Sequence, residues 1–556
     1  MAETAVTDYE VVTGNVVPAA TLALRALFSD DMALHASALS AAVVVLILLL
    51  LLTIAIYRLY LSPLAKFPGP KLAALTGLYE GYYDCIHEGG GRYYRQINEM
   101  HEDYGPIVRI SPWELHIRDQ EWSEIYKISR RAYKPEWYYR FLGSTSNVFT
   151  TVSHEQHRMR RDAIQAYFSP AAVARHEAEI ERLVDKLIAR LRDEYQGKED
   201  RAVDLYDAFR CLATDVATAF AFRKPFGHLD SPDWEHDGNR AVQSFGRLGL
   251  FNRQANGLVM KVLRSIPTWL AVALNPGGGG VEGFFKQLAV VVNTELAAAK
   301  SKSSPRGGGR RSGGEGQGEE EEAQVNIIRQ ILNSSLPPEE KTPYRVAAEC
   351  SSVTLAGTET TGSILAFTTF QLLSCDHPPK LPALQEELAQ AQQKNGGKRL
   401  TYQELKELPY LTGVVNEGLR LHSVSGRLPR YDPTQGMTYQ DWYIPKGTIV
   451  STTPNDTHLA NDIFPISSWF VPERWMDPSQ RKRLSKYLLP FGRGTRSCLG
   501  MEIATMELYI TFARLFGPDS CMDLELYDSK WQDVWMYHDF FSPFPKNKKG
   551  VRVFVR

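Results

Sequence analysis

Residues 491–500 read Phe491-Gly-Arg-Gly-Thr-Arg-Ser-Cys498-Leu-Gly500, and they fit the spacing Phe-x-x-Gly-x-Arg-x-Cys-x-Gly. A chance match to so many fixed positions in a chain of this composition is on the order of one in ten thousand, so the segment is treated as a motif. A lone cysteine is ordinarily an inert, buried small hydrophobe. Here glycines at 494 and 500 let backbone approach a flat ligand, and Arg496 is placed to pair with a carboxylate. The apolar run through Ile503 and Leu508 predicts a helix starting at Cys498, whose N-terminus would favour the thiolate.

This segment resembles the cysteine-ligand loop of the cytochromes P-450, and further motifs of that family occur in its order along nearly the whole chain. Glu417-Gly-Leu-Arg420 matches Glu-x-x-Arg, whose members share one helical face. Glu179 and Arg182 have the same spacing by accident, so the weight comes from Pro472-Glu473-Arg474-Trp475 downstream. The resemblance implies that Arg474 completes a buried charge network with Glu417 and Arg420 behind a haem. A helical stretch from Ala347 to Phe370 contains Ala356-Gly357-Thr358-Glu359-Thr360-Thr361. By pattern alone it is equally a core helix with small residues for close packing. The resemblance implies a catalytic groove, in which Gly357 leaves space for dioxygen, Thr360 supplies a hydroxyl and Glu359 relays protons.

The cofactor implied is haem b, with Cys498 as the axial thiolate, a ligand that pushes electron density toward iron. Phe491, Gly492 and Arg496 belong to its binding loop. Arg161 and His157, in HEQHRMRRDAIQAYFS, fall where the family places an arginine and a tryptophan that hold a propionate. Histidine is a departure, although it still donates a hydrogen bond. Arg430, ten residues beyond Arg420, falls at a further propionate position. His458-Leu-Ala-Asn replaces the usual His-Arg-Asp-Pro, which puts the shape of that loop in question. Arg158, Arg160, Arg481, Lys482, Arg483, Lys486 and Arg493 surround these elements, and the resemblance implies a docking face for an acidic, flavin-containing NADPH-cytochrome reductase. No Gly-x-Gly-x-x-Gly follows a strand, so electrons are expected from another protein.

Leu39 to Tyr60 reads LSAAVVVLILLLLLTIAIYRLY, has no charge before Arg58, and is long enough to cross a bilayer as a helix. Glu3, Asp8, Glu10, Asp30 and Asp31 precede it against the single Arg25, whereas Arg58, Lys66 and Lys71 come after it. The positive-inside rule then places the downstream chain in the cytoplasm. The expected organisation is a lumenal tail at 1–38, an anchor at 39–60, a proline-rich hinge at 61–72 and a catalytic domain at 73–556. Val16 to Phe28 is moderately apolar and is a second candidate for membrane contact.

The fold expected is mainly α with small β-sheets, a cytochrome P-450 fold behind a single transmembrane helix. Val173, Ile180, Leu183, Leu187 and Leu191 recur at helical spacing within 171–194, and the strand-like run Ile107 to Ile110 is short. Pro276–Gly280 and Ser301–Glu322 are read as solvated loops, the latter as a flexible insertion. Lys plus Arg (63) balances Asp plus Glu (64), which removes the global charge expected of a nucleic-acid binder. Six scattered cysteines without a Cys-x-x-Cys pair suit a reducing compartment.

The stretches YRLYLSPLAKFPGPKLAALTGLYEGYYD, YGPIVRISPWELHIRD and SGRLPRYDP look most like fungal microsomal members of the family, trichodiene oxygenase and its relatives among them. The resemblance implies a monooxygenase of the endoplasmic reticulum that hydroxylates or epoxidises a lipophilic terpenoid or polyketide-like metabolite. Its pocket is expected between the 356–361 groove and the segments 133–149, 245–258 and 423–428. A haem-thiolate isomerase or dehydratase working without a reductase, and a non-catalytic haem sensor, are the rival readings.

Overall fold

The computed structural model describes residues 30–142, 146–267, 278–303, 326–374, 379–422, 426–547 and 549–556. The chain divides into two units, Met1–Lys66 and Phe67–Arg556.

In the first unit, helix α1 (Asp30–Ile56) runs into a π-helical turn at Tyr57–Leu61. Ser37–Leu61 is long and apolar enough to cross a membrane, and none of it is buried within the fold. At 1.5 Å per residue these residues rise about 37 Å, more than the hydrocarbon core requires. The expected span at 39–60 lies inside this helix. Residues 30–38, expected in the tail, are already helical. The apolar stretch at 16–28 lies outside the described residues.

The second unit is mainly helical with small sheets. Strands β1 (Ile107–Arg109) and β2 (Glu114–Ile117) pair antiparallel, and β2 pairs in parallel with β6 (Ile449–Ser451). A second sheet has the order β3 (Val203–Asp204), β10 (Arg552–Val555), β7 (Leu524–Leu526). Hairpins β4–β5 (Met437–Tyr439, Trp442–Ile444) and β8–β9 (His538–Asp539, Pro543–Phe544) stand apart from both. The Phe67–Pro70 segment is bound to β1: the Arg109 amide donates to the Pro68 carbonyl at 2.7 Å. A Cβ on Gly69 would fall 2.6 Å from the Arg109 carbonyl oxygen. Phe67 stacks on Trp442 with ring centroids 5.0 Å apart. These contacts hold a segment expected to act as part of a hinge.

The helices that frame the site are α2 (His154–Ile164), α3 (Glu177–Tyr195), α4 (Leu205–Phe222), α5 (His236–Gln254), α6 (Pro343–Ser374), α7 (Pro409–Leu421) and α8 (Met501–Phe516). Every residue of α4 is buried. Its alanines at 208, 213, 217, 219 and 221 allow α6 to come close. A Cβ on Gly357 would meet Ala217 Cβ at 2.9 Å, and one on Gly362 would meet Arg210 Cα at 3.0 Å. The single helix read over 171–194 is instead two, Pro170–Ala174 and α3, separated at Arg175 and His176. His176 is buried there against Phe220, with ring centroids 4.8 Å apart. Gly278–Gly280, read as loop, opens the helix Gly278–Ser303. Residues 304–325 of the expected insertion lie outside the described residues. Cys85, Cys211, Cys350, Cys498 and Cys521 are free thiols.

Candidate active site

Cys498 lies in the turn before α8, three residues outside the helix it was expected to start, because Gly500 takes the N-cap position. Its amide donates to the Phe491 carbonyl at 2.9 Å, closing the loop 491–498 into a compact arch. Gly492 and Gly494 have φ of +68° and +73°, a left-handed backbone that glycine adopts without strain. A Cβ on Gly494 would sit 2.0 Å from the Tyr126 carbonyl oxygen, so this glycine is required by contact with protein backbone. At Gly500 the nearest atoms, Ile503 Cγ2 and Cys498 Sγ, lie at ordinary van der Waals distance. The Cys498 thiol opens onto a cavity. Burial pushes its pKa up, while the Gly500 amide and Arg161 pull it down.

The cavity has a volume of about 280 Å³ and is lined by Cys498, Phe491, Leu428, and the α6 residues Ala356, Gly357, Thr360 and Thr361. The Thr360 hydroxyl donates to the Ala356 carbonyl at 2.7 Å. Glu359 is not on this wall. It is buried against α4, where Arg210 Nη2 donates to it at 2.6 Å and the Tyr206 hydroxyl approaches at 3.4 Å. The glycine expected to leave room for dioxygen lines the cavity, and the Ala217 contact gives it a packing reason as well.

The cations predicted for a propionate come together on the cavity wall. Arg161 donates to the Ser497 carbonyl at 2.7 Å, next to the cysteine. Arg496 donates to the carbonyls of Thr151 at 2.7 Å and of Val152 and Ser153 at 3.0 Å, and its Nε has no partner among the described residues. Burial, then the nearby Arg430, lowers its pKa to about 9. Arg430 donates to the Tyr139 hydroxyl at 2.5 Å and to the Pro429 carbonyl at 2.7 Å. His157 is buried and faces this group, where burial, Arg496, Lys134, Arg161 and Arg430 hold it neutral. It is not a surface histidine.

Beside the cavity, Glu417 and Arg420 form a fully buried pair at 2.7 Å, and Arg474 lies 3.2 Å from Glu417. The Trp475 indole and the Val471 amide also donate to Glu417, both at 2.9 Å. Arg420 reaches on to the carbonyls of His458 at 2.6 Å and Trp469 at 2.9 Å. The network expected of Glu417, Arg420 and Arg474 is thus present. His458 fills its loop with a further contact: its Nε2 accepts from the Leu489 amide at 2.8 Å, joining the network to the start of the cysteine loop.

Three expectations change. Arg160 is buried and paired with Glu340 at 2.7 Å, so it does not belong to an exposed basic face. Of the remaining basic residues, Arg158, Lys482, Arg483 and Lys486 are exposed, whereas Arg481 and Arg493 are half-buried and donate to the carbonyls of Trp475 and Lys486. Of the expected segment 245–258, none of the described side chains lines this cavity; Leu248 and Phe251 line a separate cavity of about 690 Å³. Its place is taken by Val216, Ala217 and Phe220 of α4 and by Phe541, Ser542 and Pro543 of the last hairpin. Residues 423–425 lie outside the described residues. Lys134 is a wall residue that the sequence does not signal, because a lysine between tyrosine and proline gives no sign of burial.

The arrangement fits a haem. A thiol opens onto the cavity beside apolar walls, and a group of cations stands there without a carboxylate among the charges that weigh on Lys134 and His157 in the described residues. Such buried charge calls for an anionic ligand.

Residues 85–517 match the family model of cytochrome P-450. A cytochrome P-450 monooxygenase of Eupenicillium brefeldianum is 36% identical over 90% of this chain and 95% of its own length. A tryptophan 6-hydroxylase of Fusarium equiseti is 35% identical over 91% and 94% of the two chains. A conidiogenone synthase of Penicillium rubens is 33% identical over 89% and 95%. With the cysteine loop, the Glu417–Arg420–Arg474 network and the α6 groove in place, this chain belongs to the cytochrome P-450 family of haem-thiolate monooxygenases.

Proposed function

We propose that the protein is a membrane-anchored enzyme that holds haem b through Cys498 and inserts one atom of dioxygen into a lipophilic secondary metabolite of terpenoid or polyketide-like type. The reaction is a hydroxylation or an epoxidation. Electrons come from NADPH through a cytochrome reductase. The carrying observation is that Cys498 and the α6 residues Ala356, Gly357, Thr360 and Thr361 line one cavity with the clustered cations Lys134, Arg161, Arg430 and Arg496.

When bound, haem supplies the redox chemistry by which dioxygen is activated. The chain's own residues do the rest. Arg161, Arg430, Arg496 and His157 hold the two carboxylates of the cofactor and fix its register against Cys498. Thr360 keeps a hydroxyl on the cavity wall, where it can turn from the Ala356 carbonyl to pass a proton inward. Glu359, the preceding residue, acts as the relay behind it and draws on Tyr206 and Arg210. The α4 side chains Val216 and Phe220, with Phe541, exclude water from an apolar substrate.

The enzyme is assigned to the endoplasmic reticulum membrane, single-pass, with residues 73–556 on the cytoplasmic side and 1–38 in the lumen. Arg58 in the last turn of the apolar helix and Lys66 and Lys71 after it support that orientation. Arg158, Lys482, Arg483 and Lys486 would steer an acidic reductase. A bilayer also concentrates the lipophilic substrate.

The test is mass spectrometry of products from yeast microsomes containing the protein and a reductase, supplied with NADPH, labelled dioxygen and a panel of terpenes, polyketides and aromatics. One labelled oxygen in a product is expected. Conversion of a peroxide without NADPH or label, by protein with an intact thiolate-bound haem, would replace this reading with an isomerase or dehydratase.

A further inference from the structure

We propose that Ser485 is a phosphorylation site for a cytoplasmic serine kinase that selects basic sequences, and that phosphate there weakens the encounter with the reductase. The proposal rests on the cytoplasmic orientation and the reductase reading above.

Residues 481–486 read Arg-Lys-Arg-Leu-Ser-Lys. Lys482 and Arg483 stand three and two positions before the serine, a charge pattern that a kinase with an acidic groove selects. No ion pair ties Arg481, Lys482, Arg483 or Lys486 to a carboxylate among the described residues. Arg481 donates instead to the Trp475 carbonyl at 2.8 Å, and Arg483 to the Ile463 carbonyl at 3.1 Å. Ser485 is exposed and caps the C-terminus of the helix Pro478–Leu484. Its hydroxyl donates to the Arg481 carbonyl at 2.7 Å, a bond within its own turn. Kinase access opens that turn and draws Leu484 from its small cluster with Ile463, Phe464 and Trp475, a local opening at a helix end.

The kinase moves the γ-phosphoryl group of ATP onto Oγ. The bond from γ-phosphorus to the bridging oxygen breaks, the bond to Oγ forms, a base of the kinase takes the hydroxyl proton, and ADP leaves. The phosphate brings a charge of about −1.5 to −2. A helix C-terminus opposes an anion. Arg481 and Lys482, four and three residues back, share the face of Ser485 and offset that opposition by pairing with the phosphate. Lys482, Arg483 and Lys486 are also the cations proposed to steer an acidic reductase, so a phosphate among them cancels the attraction. The segment is joined to the cysteine arch, because the Lys486 carbonyl accepts from Arg493. Ser485 and Phe491 also line one cavity of about 240 Å³ together with Lys406 and Glu502.

The test treats the full-length holoenzyme and Ser485→Ala with ATP and the catalytic subunit of cyclic-AMP-dependent protein kinase, and maps phosphate by peptide mass spectrometry. Ser312, which follows Arg310 and Arg311, is the competing acceptor, so mapping decides the site. Phosphate is expected on Ser485 of the wild-type enzyme. The rate at which reductase and NADPH form the reduced carbon-monoxide complex should then fall about 10-fold at low salt, with the gap narrowing as ionic strength rises. Ser485→Ala should be reduced at the wild-type rate, with or without kinase treatment. Dithionite should give the same carbon-monoxide band before and after labelling. Phosphate on Ser312 alone, an unchanged reduction rate in enzyme labelled at Ser485, or a slowing that persists in Ser485→Ala overturns the proposal. Loss of the dithionite band also overturns it, since the phosphate would then act on the haem site. An unlabelled wild-type enzyme that the reductase does not reduce overturns the functional reading instead, so the two failures are distinct.

Discussion

Arg210 on α4 holds Glu359 on α6 in a buried ion pair, Nη2 to Oε1 at 2.6 Å, directly behind the cavity wall that carries Thr360. Burial works against the charge of Arg210, and the carboxylate more than offsets it, so the arginine pKa is raised. The pair also clamps the two helices where a Cβ on Gly362 would press on Arg210. The residue assigned to proton relay is therefore a structural clamp at rest.

Arg210→Ala would leave a buried carboxylate unpaired, and breaking such a pair costs about 3–5 kcal/mol. Chemical denaturation of the purified protein should show a loss of that size, with Arg210→Lys losing less. A loss under about 1 kcal/mol would show that the pair is not buried as described.

Thr360→Ala should keep the spectrum of thiolate-bound haem while NADPH consumption continues and product formation drops. The hydroxyl is the polar side-chain atom that Thr360 brings to the cavity wall, and general acid–base groups contribute about 100-fold or more. Unchanged product per NADPH would remove Thr360 from the proton route.

Glu507 on α8 is buried, its Oε1 has no partner among the described residues, and burial alone raises its pKa from 4.5 to about 8. Below about pH 4.5 folded and unfolded chains both carry this proton, and the stability linked to it is fully present. As pH rises, the unfolded chain releases the proton first, so stability falls progressively until the folded group titrates near 8. The loss is on the order of a few kcal/mol. Glu507→Gln should flatten this decline, visible as a melting-temperature gap that opens in its favour between about pH 5 and pH 9. Parallel profiles for the two proteins would refute a protonated Glu507.

His458 joins the Leu489 amide to the Arg420 guanidinium, which it meets through its own carbonyl. Burial, then Arg420, lowers its pKa to about 3, so it stays a neutral acceptor. His458→Ala leaves the Leu489 amide unsatisfied and opens a void, costing about 2–4 kcal/mol. Haem content after purification should fall with it. Full haem content and unchanged stability would mean that the cysteine loop does not depend on this link.

The sequence is most informative where chemistry restricts residue choice. The arch around Cys498 needs glycines with positive φ, so its spacing marks it, whereas the mutual need of Glu417, Arg420 and Arg474 is legible through the family resemblance. The apolar run of α1 is equally legible, because its length and composition suit a membrane span. Arg160 reads as a surface cation because its charge outweighs its helical position: with His157 on the inner face of α2, a residue three further on turns inward too. Lys134 is illegible, since its burial depends on the distant pairing of Tyr133 with Tyr431. The α4 wall residues are hidden for a similar reason, as a helix buried all round shows no amphipathic face.

Whether Cys498 ties this cavity to a thiolate-bound haem is decided by the carbon-monoxide difference spectrum of the reduced protein and of Cys498→Ser. The wild-type protein should show the red-shifted Soret band of thiolate ligation, and Cys498→Ser should lack it while any haem it retains gives the band of a neutral ligand. A thiolate band that persists in Cys498→Ser would contradict the assignment.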